Sequence, residues 1–510
     1  MNVTTTTEQA RVFRQLQLDA VKTQAERNKL GQFATPTDLA FDIVQYAKEL
    51  LTPHSQIRFL DPAFGTGAFY SALLQLFSPI QVKEAVGYEI DSHYGLEAIS
   101  FWRDTPLQLH LADFTQAIPP SCDDKKANLL ICNPPYVRHH HLSRIEKQRL
   151  QNQTFQITGI KLSQLASLYC YFLCMADAWM ADNCIAGWLI PSGFMDVNYG
   201  QQIREYLLSS VTLLRVHLFH PNNVQFADAL VTSAVVWFKK TVPPANHHIQ
   251  FSYGKSLATP NKSKLVSVET LRLTAKWTKI GFTPNNTQSN LKQLQLKDLF
   301  TIKRGLATGA NNFFVLTKEQ VIAYQLPIEF LKPILPSPRY LLVDEIEADI
   351  KGNPILTQQL FLLDCALPIS EVQANYPMLW QYLQMGVDNG ISDRYLCRHR
   401  FPWYSQENRP PSPFLCTYMG RQDTKRGRPF RFILNHSQAT ATNVYLMLYP
   451  LPDLAQAFSQ NSELLKQVWQ ALNGISDQML MGEGRVYGGG LYKLEPKELG
   501  NAIVSIPILF

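Results

Sequence analysis

One short stretch of the chain limits its possible folds more than any other: the apolar run 129–132, which ends abruptly at Asn133-Pro134-Pro135-Tyr136. A brief apolar run bounded by turn residues is typical of a buried strand. The two prolines cannot continue such a strand because each lacks a backbone N–H. Ligands of open α/β sheets bind beyond the carboxyl ends of the strands. The tetrapeptide therefore predicts an active site at a strand end, although a strand simply stopped by prolines is the alternative.

The residue types of the tetrapeptide suit the handling of a planar amine. An exocyclic amine of a nucleobase is a weak nucleophile because its lone pair is delocalised into the ring. The side-chain oxygen of Asn133 and the carbonyl oxygen of Pro134 could accept both amine hydrogens and turn the lone pair towards a methyl donor. Tyr136 offers a ring face on which an extruded base could stack. We therefore interpret these three residues as candidates for catalysis.

A strand, a tight loop and a helix are predicted upstream, over 57–60, 61–67 and 68–76. The loop reads Asp-Pro-Ala-Phe-Gly-Thr-Gly, and its glycines would let a ligand approach the backbone closely. The third glycine of a dinucleotide fingerprint is missing, as is the Gly-Lys-Ser/Thr of a phosphate loop. The loop therefore predicts a ligand other than a pyrophosphate.

Acidic residues follow the next two predicted strands. Glu89 ends the strand 85–88, where an acidic side chain can accept from both ribose hydroxyls. Asp113 follows the strand 107–111 and could accept from an adenine amine, with Phe114 against the ring. Each acid alone could be a solvated strand end. Together, in this order, they favour an adenosine-type ligand.

These motifs, in this order, resemble those of the gamma-class S-adenosylmethionine-dependent DNA adenine-N6 methyltransferases of restriction-modification systems. The resemblance covers about the first 240 residues through specific motifs and the remainder more loosely. It implies a class I methyltransferase fold: an α/β, Rossmann-like, mainly parallel sheet with helices on both faces. It also implies sequence-specific methyl transfer from S-adenosyl-L-methionine to the N6 amine of an adenine flipped out of double-stranded DNA. A separate restriction endonuclease is expected alongside.

The resemblance further implies a role for individual residues. Those expected to contact the cofactor are Thr35, Asp61, Ala63, Gly65, Gly67, Glu89, Asp113, Phe114 and Phe172. Within that set, Thr35 would help to hold the methionine carboxylate, and Phe172 would pack beside the cofactor adenine. Phe226 would form a sandwich around the flipped base together with Tyr136. The family's cytosine-modifying members usually carry Ser at position 133, so Asn133 favours adenine as the target.

The predicted domains are an N-terminal helical arm with the catalytic domain over 1–240, a linker over 241–290, and a target-recognition domain over 291–510. The last is expected to be mixed α+β. Its basic run, which includes Arg426 and Arg428, is a candidate for contacts with DNA phosphates. A solvated basic face would explain the same run.

Composition excludes several other classes. The chain is 46% hydrophobic, has no run of 18 apolar residues and shows no N-terminal signal, which predicts a soluble cytoplasmic protein without a membrane segment. Its eight cysteines form no CxxC pair, as expected for reduced thiols, and neither they nor the triplet His139–His141 predict a metal site. The net charge of +6 permits a nucleic-acid partner.

Two other functions remain open at this point. The same tetrapeptide would serve a methyltransferase acting on a protein glutamine amide or on RNA, although the large second half argues against it. A catalytically silent DNA-binding specificity protein is a third possibility. Intact residue types at every donor and amine position make that reading the weakest.

Overall fold

The computed structural model describes residues 5–220, 225, 232–280, 294–421, 427–487 and 489–504. The chain divides into two compact units, one made of 1–286 with 487–489 and the other of 287–486 with 490–510.

The first unit is built on a nine-stranded sheet. Its strands are β1 (Ile57–Asp61), β2 (Val82–Glu89), β3 (Leu107–Leu111), β4 (Ala127–Cys132), β5 (Met180–Pro191), β6 (Thr212–Phe219), β7 (Ser233–Lys239), β8 (His248–Gly254) and β9 (Lys262–Ser267). They lie in the order β3-β2-β1-β4-β5-β7-β6-β8-β9. Strands β1 to β5 pair in parallel, whereas β7 runs antiparallel to both of its neighbours. The predicted class I methyltransferase fold is confirmed by this order.

Helices of the first unit cover both faces of this sheet. They are α1 (Thr5–Val21), α2 (Gln24–Leu30), α3 (Thr37–Leu50), α4 (Ala68–Leu76), α5 (Ser92–Trp102), α6 (Arg144–Thr158), α7 (Leu168–Met175), α8 (Gln201–Ser209) and α9 (Val268–Leu273). One apolar core joins buried residues of α3, α4 and α5 to one face of the sheet. A second core joins those of α6, α7 and α8 to the opposite face. Burial on both faces explains why the central strands are near-continuous apolar runs.

The predicted linker over 241–290 is wrong for residues 248–267. Strand β8 pairs in parallel with β6, and β9 pairs antiparallel with β8, so both extend the sheet of the first unit. Ile249 and Phe251 are buried and join the core. Only one side of this hairpin is apolar, and the polar residues on its other side gave the segment a linker-like composition.

The second unit is mixed α+β, as predicted. Its strands are β10 (Leu294–Gln295), β11 (Phe300–Arg304), β12 (Val315–Thr317), β13 (Leu331–Ile334), β14 (Glu345–Ile346), β15 (Leu360–Leu363), β16 (Phe414–Thr417), β17 (Met419–Arg421), β18 (Phe432–Asn435), β19 (Tyr445–Pro450), β20 (Arg485–Tyr487), β21 (Leu491–Lys493) and β22 (Ile503–Val504). Its helices are α10 (Asn311–Phe314), α11 (Lys318–Ala323), α12 (Ile369–Asn375), α13 (Pro377–Asp388), α14 (Pro452–Gln460), α15 (Glu463–Asn473), α16 (Asp477–Glu483) and α17 (Pro496–Gly500). The largest sheet has the order β11-β19-β16-β18-β14.

Candidate active site

A cavity of about 980 Å³ lies at the carboxyl ends of the central strands of the first unit. Ligand pockets are commonly of this size. Many of the predicted site residues line it: Ala63, Gly65, Glu89, Asp113, Phe114, Asn133 and Phe172. Residues more than 100 positions apart therefore meet at one place because parallel strands end on the same edge of the sheet.

The loop after β1 is shaped by an acid and two glycines. Burial raises the pKa of Asp61 to about 8. The backbone N–H of Ala63 donates to its carboxylate at 3.1 Å, and this hydrogen bond opposes the rise in pKa without cancelling it. Gly65 has a φ of +58°, in the left-handed region that favours glycine. The space where a Cβ would lie is open, so the backbone conformation, and not crowding, accounts for the glycine. At Gly67 a Cβ would lie 2.7 Å from an atom of the Trp102 ring, so packing excludes a side chain there. The loop is thereby held close to the end of β1.

Glu89 connects this loop to the end of β2. Its side chain is 8% exposed, and burial raises its pKa. One carboxylate oxygen accepts from the backbone N–H of Gly65 and the other from that of Asp91, both at 2.8 Å. Each carboxylate oxygen has a second lone pair. Glu89 can therefore hold the loop and still accept hydrogen bonds from a diol.

One end of the cavity is aromatic on one wall and acidic on another. The rings of Phe114 and Phe172 lie 5.4 Å apart. Asp113 accepts from the backbone N–H of Thr115 at 2.9 Å. Arg149 on α6, which sequence reasoning did not single out, donates to the Thr115 carbonyl at 3.0 Å and lies 3.8 Å from Asp113. Nothing in the local sequence distinguishes Arg149 from the other cations of this polar helix, so sequence patterns do not reveal its positioning role.

Asn133 has a defined amide orientation. Its Nδ2 donates to the carbonyl oxygen of Phe33 at 3.0 Å and to the hydroxyl of Thr35 at 3.1 Å. A carbonyl oxygen can only accept, so the atom that faces it must be the amide nitrogen. Within the described part of the chain, the buried Oδ1 atom has no hydrogen-bond partner. The amide therefore keeps one unused acceptor, which is buried in a residue that lines the cavity.

Thr35 and Pro134 do not line the cavity, and neither do Asp61 and Gly67. Thr35 acts in this structure as a hydrogen-bond acceptor for Asn133. Its predicted contact with a methionine carboxylate stays a prediction.

Tyr136 is packed below the cavity wall and does not form part of it. It is 9% exposed, and its hydroxyl donates to the Leu189 carbonyl at 3.0 Å. Its backbone N–H donates to the carbonyl of Gly31 at 3.1 Å, and a Cβ on Gly31 would lie 2.3 Å from that same nitrogen. The left-handed glycine that ends α2 therefore lies directly on the tetrapeptide. Stacking of Tyr136 on a base stays a prediction.

The remaining candidates for DNA contact have different outcomes. Phe226 and Arg426 lie outside the described residues. Arg428 donates to Asp477 at 3.0 Å and to the backbone carbonyls of Asn473 and Ile475. Each nitrogen of its guanidinium thus donates one bond within the second unit, which argues against the predicted phosphate contact.

The predicted N-terminal arm covers part of the cavity. Lining residues from the arm include Gln15, Leu16, Asp19, Arg27 and Leu30. Within α1, Arg11 forms a buried ion pair with Glu8 at 2.6 Å. The same guanidinium donates to the hydroxyl of Thr66 at 3.0 Å. The arm is thus bonded directly to the loop after β1.

One group among the described residues has the composition of a metal site, namely Glu345, Glu347 and His436 in the second unit. The ammonium of Lys466 already lies 3.2 Å from a carboxylate oxygen of Glu345.

Within the described ranges, no helix is both long and apolar enough to cross a bilayer.

Two family models match the chain. One, described as the Eco57I restriction-modification methylase, matches residues 95–225. The other, described as the C-terminal domain of Type II methyltransferase M.Eco57I, matches residues 274–509. Together they cover well over half of the chain.

Similar proteins agree with these matches. Type II methyltransferase M.XamI of Xanthomonas campestris pv. amaranthicola is 25% identical over 92% of this chain and 84% of its own length. Type II methyltransferase M.AccI of Acinetobacter calcoaceticus is 23% identical over 94% of this chain and 86% of its own length.

Among solved structures, the Type IIL restriction-modification enzyme MmeI in complex with DNA has a TM-score of 0.54 and 12% identity. The match covers 96% of this chain and 66% of that one, so it supports the fold alone. With the cavity at the strand ends, the two family models and the two relatives identify the chain as a DNA methyltransferase of a restriction-modification system, similar to the Eco57I methylases.

Proposed function

We propose that this protein methylates the N6 amine of an adenine flipped out of a specific site in double-stranded DNA, with S-adenosyl-L-methionine as the donor. Such methylation would protect DNA from a restriction endonuclease encoded as a separate chain. The observation that carries the proposal is the amide of Asn133. Both of its hydrogens are engaged by Phe33 and Thr35, which leaves its buried oxygen as an acceptor beside the cavity.

The cavity residues fit the proposed cofactor. Glu89 keeps a free lone pair on each oxygen for the ribose hydroxyls. Phe114 and Phe172 offer an apolar slot for the adenine ring, with Asp113 at its edge. Asp61 does not line the cavity, but its buried carboxyl, which pairs with no cation among the described residues, would gain a charge partner from a methionine ammonium held by the loop 61–67.

The residues of this chain would activate the amine by positioning it. When bound, S-adenosyl-L-methionine supplies an electrophilic methyl group. Asn133 and the carbonyl of Pro134 would accept the two amine hydrogens and so direct the nitrogen lone pair at that methyl carbon. Their oxygens would also stabilise the positive charge that develops on nitrogen as its bond to the methyl carbon forms and the donor's carbon–sulfur bond breaks, with the electron pair left on a neutral thioether sulfur. One amine proton would then leave along these hydrogen bonds to solvent.

We assign recognition of the DNA sequence to the second unit and chemistry to the first. The strand ends of the first unit are committed to the proposed cofactor and amine sites, which leaves little surface for reading base edges in a groove. An exchange of residues 291–510 with those of a relative should change which sites are methylated and leave the methylated atom the same. An unchanged list of sites would place recognition in the first unit.

The test of the function is the product. Wild-type protein, duplex DNA and the methyl donor should yield N6-methyladenine on nucleoside mass spectrometry, and Asn133→Ala should abolish this product while the donor still binds in calorimetry. N4-methylcytosine alone would refute the adenine assignment. Methylation of RNA or of a protein glutamine in place of DNA would favour the other methyltransferase reading. Binding of DNA without any transfer would indicate a silent specificity protein.

A further inference from the structure

A second cleft, of about 880 Å³, lies in the first unit beside helix α6. One wall is a single face of that helix, made of Arg144, Lys147, Gln148, Gln151, Asn152 and Phe155. Lys161 and Gln164, from the segment after the helix, form part of the other wall. We refer to this feature as the α6 cleft.

The other faces of α6 already have structural roles. Leu150 and Thr154 are fully buried against the core. Arg149 donates to Thr115 and so supports the cofactor side of the main cavity, which Glu146 also lines. The cationic face is therefore separate from the residues that attach the helix, and its charges are not needed to hold the helix in place.

The charge of the α6 cleft is of one sign. Arg144, Lys147 and Lys161 take part in no ion pair with any residue that the structure describes. The remaining polar lining consists of amides and the hydroxyl of Ser163, and no carboxylate is among its described lining residues. Phe155 exposes 54% of its surface in this polar setting. Unpaired cations, amide donors and an open aromatic ring match a phosphate backbone that carries bases.

We propose that the α6 cleft binds the DNA backbone beside the target adenine. The inference rests on the proposed function and adds a site to it. Helix α6 begins eight residues after Tyr136, and Glu146 on the same helix lines the cofactor cavity. A strand held on its outer face would run close to the amine site. Phosphate contacts of this kind position DNA without reading its sequence.

The first experiment compares binding to duplex DNA by fluorescence anisotropy over a range of salt concentrations. The variant combines Arg144→Ala, Lys147→Ala and Lys161→Ala in the full chain. Its affinity should fall for duplexes with and without the target site, and the slope of log K against log salt should decrease by about 0.9 for each lost contact. The methylated base should stay the same, and affinity for the methyl donor should be unchanged, which shows that the variant is folded.

Lys83→Ala is the matched control. Lys83 is exposed at the second position of β2, roughly 20 Å from the carboxyl end of that strand where the cavity lies. This variant should keep the affinity and salt slope of the wild type. If the triple variant also kept both, the α6 cleft would not hold DNA.

A second measurement uses the wild-type protein and needs no substitution. Acetylation of lysines by a water-soluble reagent, followed by peptide mass spectrometry, should show DNA-dependent protection of Lys147 and Lys161 and none of Lys83. Equal modification with and without DNA would overturn the proposal, as would protection by millimolar AMP but not by DNA. Failure of the proposed function is read separately, from the absence of N6-methyladenine in wild-type reactions.

Discussion

Replacement of Glu89 by Gln tests whether one buried carboxylate serves both the protein and the cofactor. Its two oxygens accept from the backbone N–H groups of Gly65 and Asp91, both at 2.8 Å. In the glutamine variant, an amide NH₂ must face one of those N–H groups or turn towards the cavity. Either way the site loses an acceptor while its shape is nearly kept.

The expected effect on stability is small because two contributions oppose each other. A lost hydrogen bond to a charged group costs about 1.5–3 kcal/mol. Burial raises the pKa of Glu89, however, so the neutral amide is relieved of a desolvation cost that the carboxylate carries. We expect the free energy of unfolding to change by less than about 2 kcal/mol.

Cofactor binding has no such compensation, since the ribose hydroxyls lose a charged acceptor. A loss of about 1.5–3 kcal/mol corresponds to roughly 10- to 150-fold weaker binding of S-adenosyl-L-methionine. Isothermal titration calorimetry measures this affinity, and urea unfolding measures stability. Glu97→Gln, on a surface side chain of α5 that is 41% exposed, is the control. Affinity within about threefold of wild type in a stable Glu89→Gln protein would refute the ribose contact.

Three further predictions concern the same site. Because burial raises the pKa of Asp61 to about 8, the folded protein holds a proton that the unfolded chain releases near pH 4; this group should therefore lower stability as pH rises from about 4 to 8. Binding of the cationic donor at pH 7 should release this proton, detectable by calorimetry in buffers of different ionisation enthalpy, and Asp61→Asn should abolish the release. Gly31→Ala should lower the free energy of unfolding, measured in urea, by clearly more than Gly159→Ala. Both glycines have a positive φ, but only at Gly31 would a Cβ meet backbone atoms, at 2.3 Å. Equal losses of stability would contradict the close approach at Gly31. Thr35→Val should slow single-turnover methylation at saturating donor about tenfold, because Asn133 loses one of the two bonds that orient its amide. A full rate would show that the bond to Phe33 alone suffices.

The sequence by itself determined where the candidate site residues lie along the chain. Asp61, Glu89 and Asn133 each follow a short apolar run, and a strand that ends at a polar or turn residue is a local pattern. Once the strands are parallel, their ends must share an edge of the sheet. That is why the predicted residues Glu89, Asp113 and Asn133 do line one cavity.

Tertiary structure alone decided how those residues are held. The orientation of Asn133 depends on Phe33 and Thr35, about 100 residues earlier, and Gly31 meets the backbone of Tyr136. Such contacts depend on how separate elements pack, so the apolar periodicity within one element does not predict them.

The same limit explains the predictions that the structure corrected. β8 alternates buried and more exposed residues only over its first half, and it joins the sheet through pairing with β6, from which it is about 35 residues distant. The basic run around Arg428 shows that a positive charge is present but does not show which group pairs with it. In the folded chain that group is Asp477, which is 49 positions away in the sequence. Local sequence determines which groups are present and which element carries them, whereas long-range packing determines which of them remain available to bind a ligand.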